Sequence, residues 1–300
     1  MRQVFLLFCL LTGLWACDKN EVISPQTVQG LEGTGLYHFK TYPNLAAGGL
    51  PVYYHVPADL PANAPVLIVF HGNGRDAEYS RDQLIAKANR LKFALVVPEF
   101  SSDAYPGGDK YNLGNIFEDG DHPSESTLNP KEEWTFSVIE PLFENFKTRT
   151  GLVTTQFDVF GHSAGAQVAH RYLFFWNDAP VNRVVAAAAG WYTLPDTSVQ
   201  FPYGLGTSPA ENADLSTFFS RPLTIVIGTA DNDPNAASLR QTPQARAQGS
   251  NRLARAQYFY QQSIQQAQAI ASPFSWQYRE LQNVDHDFAA TSAFAADLLY

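Results

Sequence analysis

The chain has 300 residues, 45% of them hydrophobic and 16% charged, a balance that excludes a disordered or fibrous protein and supplies material for a large core. Its formal net charge of −9 argues against a sequence-independent grip on nucleic acid, which needs clustered Lys and Arg. The longest basic cluster, residues 252–255, reads as the solvated face of a helix.

At the N-terminus, Arg2 precedes an apolar run over residues 4–16, too short to span a bilayer but of the length of an export signal. The run ends in LWAC, residues 14–17, which resembles a bacterial lipobox, although Trp15 is bulkier than that pattern favours. Residues 1–16 are therefore expected to be a signal peptide. The mature protein is expected to be exported and tethered through lipid on Cys17 at the periplasmic face or cell surface, or secreted if cleavage leaves no lipid. The only cysteines are Cys9 and Cys17, so the remainder of the chain has no thiol for a disulfide, a metal site or nucleophilic chemistry. Residues 17–35 are polar and glycine-rich without periodicity, which predicts a linker and places the start of a single domain at 36–300.

Two β-rich runs, 37–42 and 52–56, suit an antiparallel opening. Short, nearly continuous apolar runs follow at 66–70, 94–97, 157–160, 184–189, 223–227 and 276–281, as strands buried on both faces require. Helices are predicted between them at 77–91, 132–148, 164–175, 249–270 and 288–299, with Pro141 inside the second as a possible kink. The alternation predicts an α/β fold, a mostly parallel central sheet with helices on both faces. Ligands of such sheets sit at the carboxyl ends of the strands, where every candidate residue below falls.

The segment FDVFGHSAGAQVAH passes from a buried strand into a helix through Gly161, His162, Ser163, Ala164 and Gly165. A nucleophile elbow needs this setting, because the turn is tight and side chains at the flanking glycines would collide with the adjoining strand and helix. Ser163 is the candidate nucleophile.

In this context the chain resembles the α/β-hydrolase superfamily, nearest its esterase and poly(3-hydroxybutyrate) depolymerase-like branch. The likeness covers about residues 66–299 and rests on FHGNG at 70–74, GHSAG at 161–165, IGTADNDP at 227–234 and NVDHD at 283–287, in the family's order. It implies an α/β-hydrolase fold and a serine esterase that needs no cofactor. It also implies a triad in the chain order serine, acid, histidine. Only His170 and His286 follow Ser163, and His170 lies on the helix leaving the elbow, so His286 is the expected base. The acid must fall between them; Asp231 at the end of LTIVIGTAD is favoured over Asp233. The resemblance places oxyanion donors at the backbone N–H groups of Asn73 and Ala164, with Gly74 as the alternative to Asn73. His71 is expected to pack under that loop rather than transfer protons.

Weaker signals remain. The long segment 101–130 is expected to border the site, with Asp103, Tyr105, Tyr111, Asn112 and Asn115 as pocket candidates. Trp191 and Tyr192 follow a strand and are candidate substrate contacts. Glu118, Asp119, Asp121 and His122 fit no calcium-loop spacing, and no metal is expected. The expected partner is a small or polymeric ester, such as a polyester or an acylated polysaccharide. The same triad also serves amidases and acyltransferases. A catalytically silent, surface-anchored glycan-binding protein on this scaffold is the alternative from another class. A dinucleotide-binding redox protein is disfavoured, since no GxGxxG follows the early strands. Nothing in the sequence fixes an oligomeric state.

Overall fold

Of the strands expected to be buried on both faces, the last, Gln277–Leu281, has no buried side chain, whereas every side chain of Val66–Phe70, Ala94–Pro98 and Phe157–His162 is buried. In the computed structural model, which describes residues 30–45 and 48–300, they lie at the centre of one eight-stranded sheet. The strands are β1 (Gly33–Phe39), β2 (Leu50–Val56), β3 (Val66–Phe70), β4 (Ala94–Pro98), β5 (Phe157–His162), β6 (Val181–Ala187), β7 (Leu223–Gly228) and β8 (Gln277–Leu281). Their spatial order is β1-β2-β4-β3-β5-β6-β7-β8. β2 is antiparallel to both β1 and β4, and every other pairing is parallel. The antiparallel opening and the α/β class are as the sequence predicts.

Among the described residues, eight α-helices accompany the sheet: α1 (Ala77–Asp82), α2 (Ile85–Leu91), α3 (Ile139–Thr150), α4 (Ala164–Phe175), α5 (Leu215–Ser220), α6 (Pro243–Gln248), α7 (Arg252–Ala269) and α8 (Phe288–Leu299). Strand alternation sorts the core into two layers. Val66, Ile68 and Phe70 of β3 join a cluster with residues of α3, α4 and α7, while Leu67 and Val69 join Ala88 of α2 and Ala295 and Leu299 of α8 on the other face. All twelve residues of α4 are buried, so the helix that carries the elbow is fixed on every side.

Three expectations need correction. Pro141 is the third residue of α3, where its missing N–H belongs to a turn that has no helical acceptor, so it starts the helix instead of kinking it. The helix expected over 77–91 is two, α1 and α2, with Gln83 and Leu84 between them. The linker ends earlier than residue 35: Leu31 is buried and donates its N–H to Arg149 O at 2.8 Å, and β1 begins at Gly33. Main-chain pairing with β2 orders this glycine-rich stretch whatever its side chains. The expected signal peptide, Cys17 and the rest of the expected linker up to residue 29 lie outside the described residues. Among the described residues, no helix is long and apolar enough to cross a membrane.

Candidate active site

β5 and α4 meet at Ser163, whose φ of 57° and ψ of −116° are a strained conformation for a residue with a Cβ. The strain is held by contacts on both sides. Ser163 N–H donates to Ala187 O of β6 at 2.9 Å, and Ser163 O accepts from Gln167 N at 3.2 Å. The flanking glycines are required sterically: a Cβ on Gly161 would stand 2.1 Å from Gly165 O, and one on Gly165 would stand 1.9 Å from Phe70 O. The sequence GHSAG therefore produces an elbow in which β3, β5 and α4 touch backbone to backbone.

Asp231 follows β7 and is buried. Its Oδ2 lies 2.7 Å from His286 Nδ1, and its Oδ1 lies 3.3 Å from Arg252 Nη1. With Nδ1–H donated to the carboxylate, the other ring nitrogen of His286 is left as the acceptor. The imidazole of His286 lies 4.6 Å, centroid to centroid, from that of His162, the residue before Ser163. His162 is itself anchored by a 3.0 Å hydrogen bond between its Nδ1 and Thr291 Oγ1 on α8. The structure thus brings Asp231 and His286 together beside the elbow. Asp233 is turned to another task, its Oδ1 accepting from Asn235 N at 2.8 Å. Asp285 accepts from the His286 N–H, and Asp287 caps α8 through Ala290 N.

Ser163, Ala164 and Asn73 line a single cavity of about 280 Å³, and Gly74 does not. Ala164 opens α4, so its N–H has no helical acceptor, and Asn73 N–H has no backbone acceptor among the described residues. These are the donors an oxyanion beside Ser163 would meet. The loop bearing Asn73 rests on His71, which is fully buried and bonded at both nitrogens: Nδ1–H donates to Gly72 O at 3.0 Å and Nε2 accepts from Phe100 N at 3.0 Å. Burial pushes its pKa down to about 4, so the ring is neutral and structural. His170 is likewise occupied, with Nδ1 on Ala166 O at 2.8 Å and Nε2 on Thr193 N at 3.1 Å.

Among the substrate candidates, Trp191 and Asn112 line the cavity. Tyr192 does not: it is fully buried and stacks on Phe259 with ring centroids 4.3 Å apart. Tyr111 lies beneath the loop, donating its hydroxyl to His71 O at 2.6 Å, while Tyr105 and Asn115 border a separate cavity with Asn44 and Lys110. Among the described residues, no group of three or more metal-binding side chains is gathered. Asp119 pairs with His122, and Asp121 with Arg240.

The sequence reading missed the arginines. Residues 252–255 are not a solvated face: Arg252 is 3% exposed and Arg255 is 0% exposed. Arg252 pairs with Asp231, and Arg255 ties three loops by donating to Gly249 O, Gly190 O and Arg240 O. A signal was present, since basic residues in the first turn of a helix oppose its dipole and call for a specific partner.

No family model matches the chain. Among curated proteins it is 31% identical over 154 residues to poly(3-hydroxyalkanoate) depolymerase C of Paucimonas lemoignei, a match over 51% of this chain and 33% of that protein. The chain thus spans about a third of the length of that relative. Among solved structures, poly(aspartic acid) hydrolase-1 of Sphingomonas sp. KT-1 superposes with a TM-score of 0.82 at 36% identity, over 89% of this chain and 98% of its own. The poly(3-hydroxybutyrate) depolymerase of Bordetella parapertussis superposes with the same TM-score, 0.82, at 29% identity over 90% of each chain. Identity at that level over about nine-tenths of the chain, with a TM-score of 0.82, makes this chain a member of the α/β-hydrolase superfamily, in its poly(3-hydroxybutyrate) depolymerase-like branch.

Proposed function

We propose that the chain hydrolyses carboxylic esters through an acyl-enzyme. Ser163 attacks the ester carbonyl, and His286 takes the serine proton and returns it to the leaving alcohol. Asp231 fixes the tautomer of His286 and balances the imidazolium, and the N–H groups of Asn73 and Ala164 hold the oxyanion. Water then releases the acid by the same route in reverse roles. The observation that carries this reading is the 2.7 Å hydrogen bond between a buried carboxylate and His286, set beside a serine held in a strained turn. Such strain persists only where the surroundings enforce it, and it is concentrated at functional sites.

A polymeric ester is the favoured substrate, because two relatives are named for polyesters. An amide is the second reading, favoured by the Sphingomonas relative named for poly(aspartic acid), whose backbone is an amide. Both use the same acyl-enzyme.

The test is Ser163→Ala, measured on p-nitrophenyl esters, polyhydroxybutyrate film, acetylated xylan and poly(aspartic acid), with fluorophosphonate labelling alongside. Turnover and labelling should both vanish while the circular dichroism spectrum is unchanged. Labelling that survives the substitution would remove Ser163 from the mechanism.

A further inference from the structure

The cavity at Ser163 is lined by hydrogen-bond donors, and none of its lining residues is a carboxylate. Gln167 shows how the donors are aimed. Its Oε1 accepts from Arg171 Nη1 at 3.2 Å and from Asn112 Nδ2 at 3.0 Å. Arginine can only donate, so the amide orientation is fixed and Nε2 is presented beside Gly190 on the cavity wall. Arg240 spends Nε on Tyr203 Oη at 2.7 Å and Nη2 on Asp121, leaving Nη1 with no partner among the described residues.

Positive charge here exceeds its counter-charge. Arg171 and Arg240 both lie over the ring of Trp191, their guanidinium carbons 4.3 and 4.8 Å from its centroid. At the start of α7, Arg252 lines the cavity too, and Arg255 stands behind it, donating to Gly190 O. Of these four, only Arg240 and Arg252 are paired with a carboxylate among the described residues. Arg171 is fully buried with Nη2 lacking any partner, and Arg252 is buried with Nε lacking one. Burial, reinforced by the charge on Arg240, lowers the pKa of Arg171, as expected for a cation short of an anion. These donors face protein rather than the cavity, so an anion bound at Arg240 would act on them only through charge, offsetting the local surplus of guanidinium groups. The surplus is local, in a chain whose net charge is −9.

We propose that this cavity is an anion subsite that takes a carboxylate carried by the substrate, held by Arg240 and Gln167 beside Trp191 while the scissile carbonyl meets Ser163. The proposal rests on the reading of Ser163 as nucleophile. A planar carboxylate matches the guanidinium fork, and the surrounding charge would make the contact stronger than a neutral hydrogen bond. Such a carboxylate has two sources, the free end of an oligomer or the side groups of a polyanion.

Two pairs of polyester substrates separate these sources. The first is the trimer of 3-hydroxybutyrate as free acid and as methyl ester; the second is poly(malic acid), a polyester with a carboxylate on each unit, and its methyl ester. The native protein should favour the free acid in kcat/KM by about tenfold or more, the range of one charge-assisted hydrogen bond. A preference in the first pair points to chain ends, and one in the second to side groups. Arg240→Gln should remove most of the preference, mainly through KM, and Arg240→Lys should retain part of it. Arg240 also pairs with Asp121 and bonds Tyr203, so an unchanged circular dichroism spectrum and unchanged turnover of the methyl esters are the control that each variant keeps its fold. Equal turnover of acids and methyl esters by the native protein would overturn the subsite, as would a preference untouched in Arg240→Gln. Failure of the underlying reading looks different: no ester is cleaved and Ser163 is not labelled by fluorophosphonate.

Discussion

Arg252 holds the oxygen of the Asp231 carboxylate that His286 leaves free, with its Nη1 3.3 Å from Oδ1 and both side chains 3% exposed. The carboxylate is thereby clamped between a residue on α7 and one on the loop after β8. The main chain reinforces the clamp, since Leu253 N donates to Asp231 O at 3.1 Å. A carboxylate buried with only an imidazole for company would bear a desolvation cost that a fixed guanidinium offsets.

Replacing Arg252 with methionine keeps the volume and strands the charge of Asp231. The expected loss of stability is about 3 kcal/mol, the lower end for breaking a buried pair from one side. Urea denaturation measures it. Activity should fall further than the folded fraction does, and in kcat, because Asp231 no longer holds His286 in one place. Arg252→Lys should recover part of the stability. Wild-type kcat in Arg252→Met would show that Asp231 needs no second partner.

The strain at Ser163 yields a prediction in which stability and activity move in opposite directions. Glycine adopts a φ of 57° and a ψ of −116° without the Cβ clash. Ser163→Gly should therefore be inactive yet more stable by about 1 kcal/mol, the relief of strain less the entropy that glycine adds to the unfolded chain. Ser163→Ala removes the same hydroxyl but keeps the Cβ, so it should be inactive without the gain. Thermal unfolding of the two variants side by side separates strain from the loss of the hydroxyl. Equal melting temperatures would mean that the elbow stores no strain.

Much of this architecture was legible before any coordinates. The central strands were, because continuous runs such as VLIVF at 66–70 have no polar face to offer water, whereas β8, QYREL, shows no such run and none of its side chains is buried. The limits of α4 and α8 were also legible, since each begins directly after a turn residue and holds its apolar pattern to the end. α5 and α6 were not, because six residues are too few to display a helical period. At the site, chain order led to His286 and to the Asp231 or Asp233 choice, but only packing separates Trp191 on the cavity wall from Tyr192 in the core. Arg252 was read as solvated because periodicity says which residues share a helix face and not what that face meets.

Three buried histidines make stability depend on pH in a defined direction. Burial is the leading cause for each: it lowers the pKa of His71 to about 4 and those of His162 and His170 well below the ordinary 6.5. In the unfolded chain each ring takes a proton below about pH 6.5, and in the folded chain it refuses one until far lower. The unfolded state therefore binds more protons across that window, and stability, complete above 6.5, is lost as the pH falls toward 4. Each fully differential proton contributes about 1.4 kcal/mol per pH unit, so the three together set a limiting slope of about 4 kcal/mol per unit. Most carboxylates act near and below pH 4. His122, raised by its hydrogen bond to Asp119, and Glu99 and Asp109, raised by burial, act in the opposite sense, so the three buried rings set the sign above 5 and the slope stays below that limit. Urea denaturation at pH 7, 6 and 5 should show the loss steepening with each step. His170→Gln reduces the slope by one proton, since an amide can still donate to Ala166 O and accept from Thr193 N without titrating. A stability that stays flat from pH 7 to 5 would mean that these rings are protonated in the folded protein, against the burial of all three and the paired nitrogens of His71 and His170.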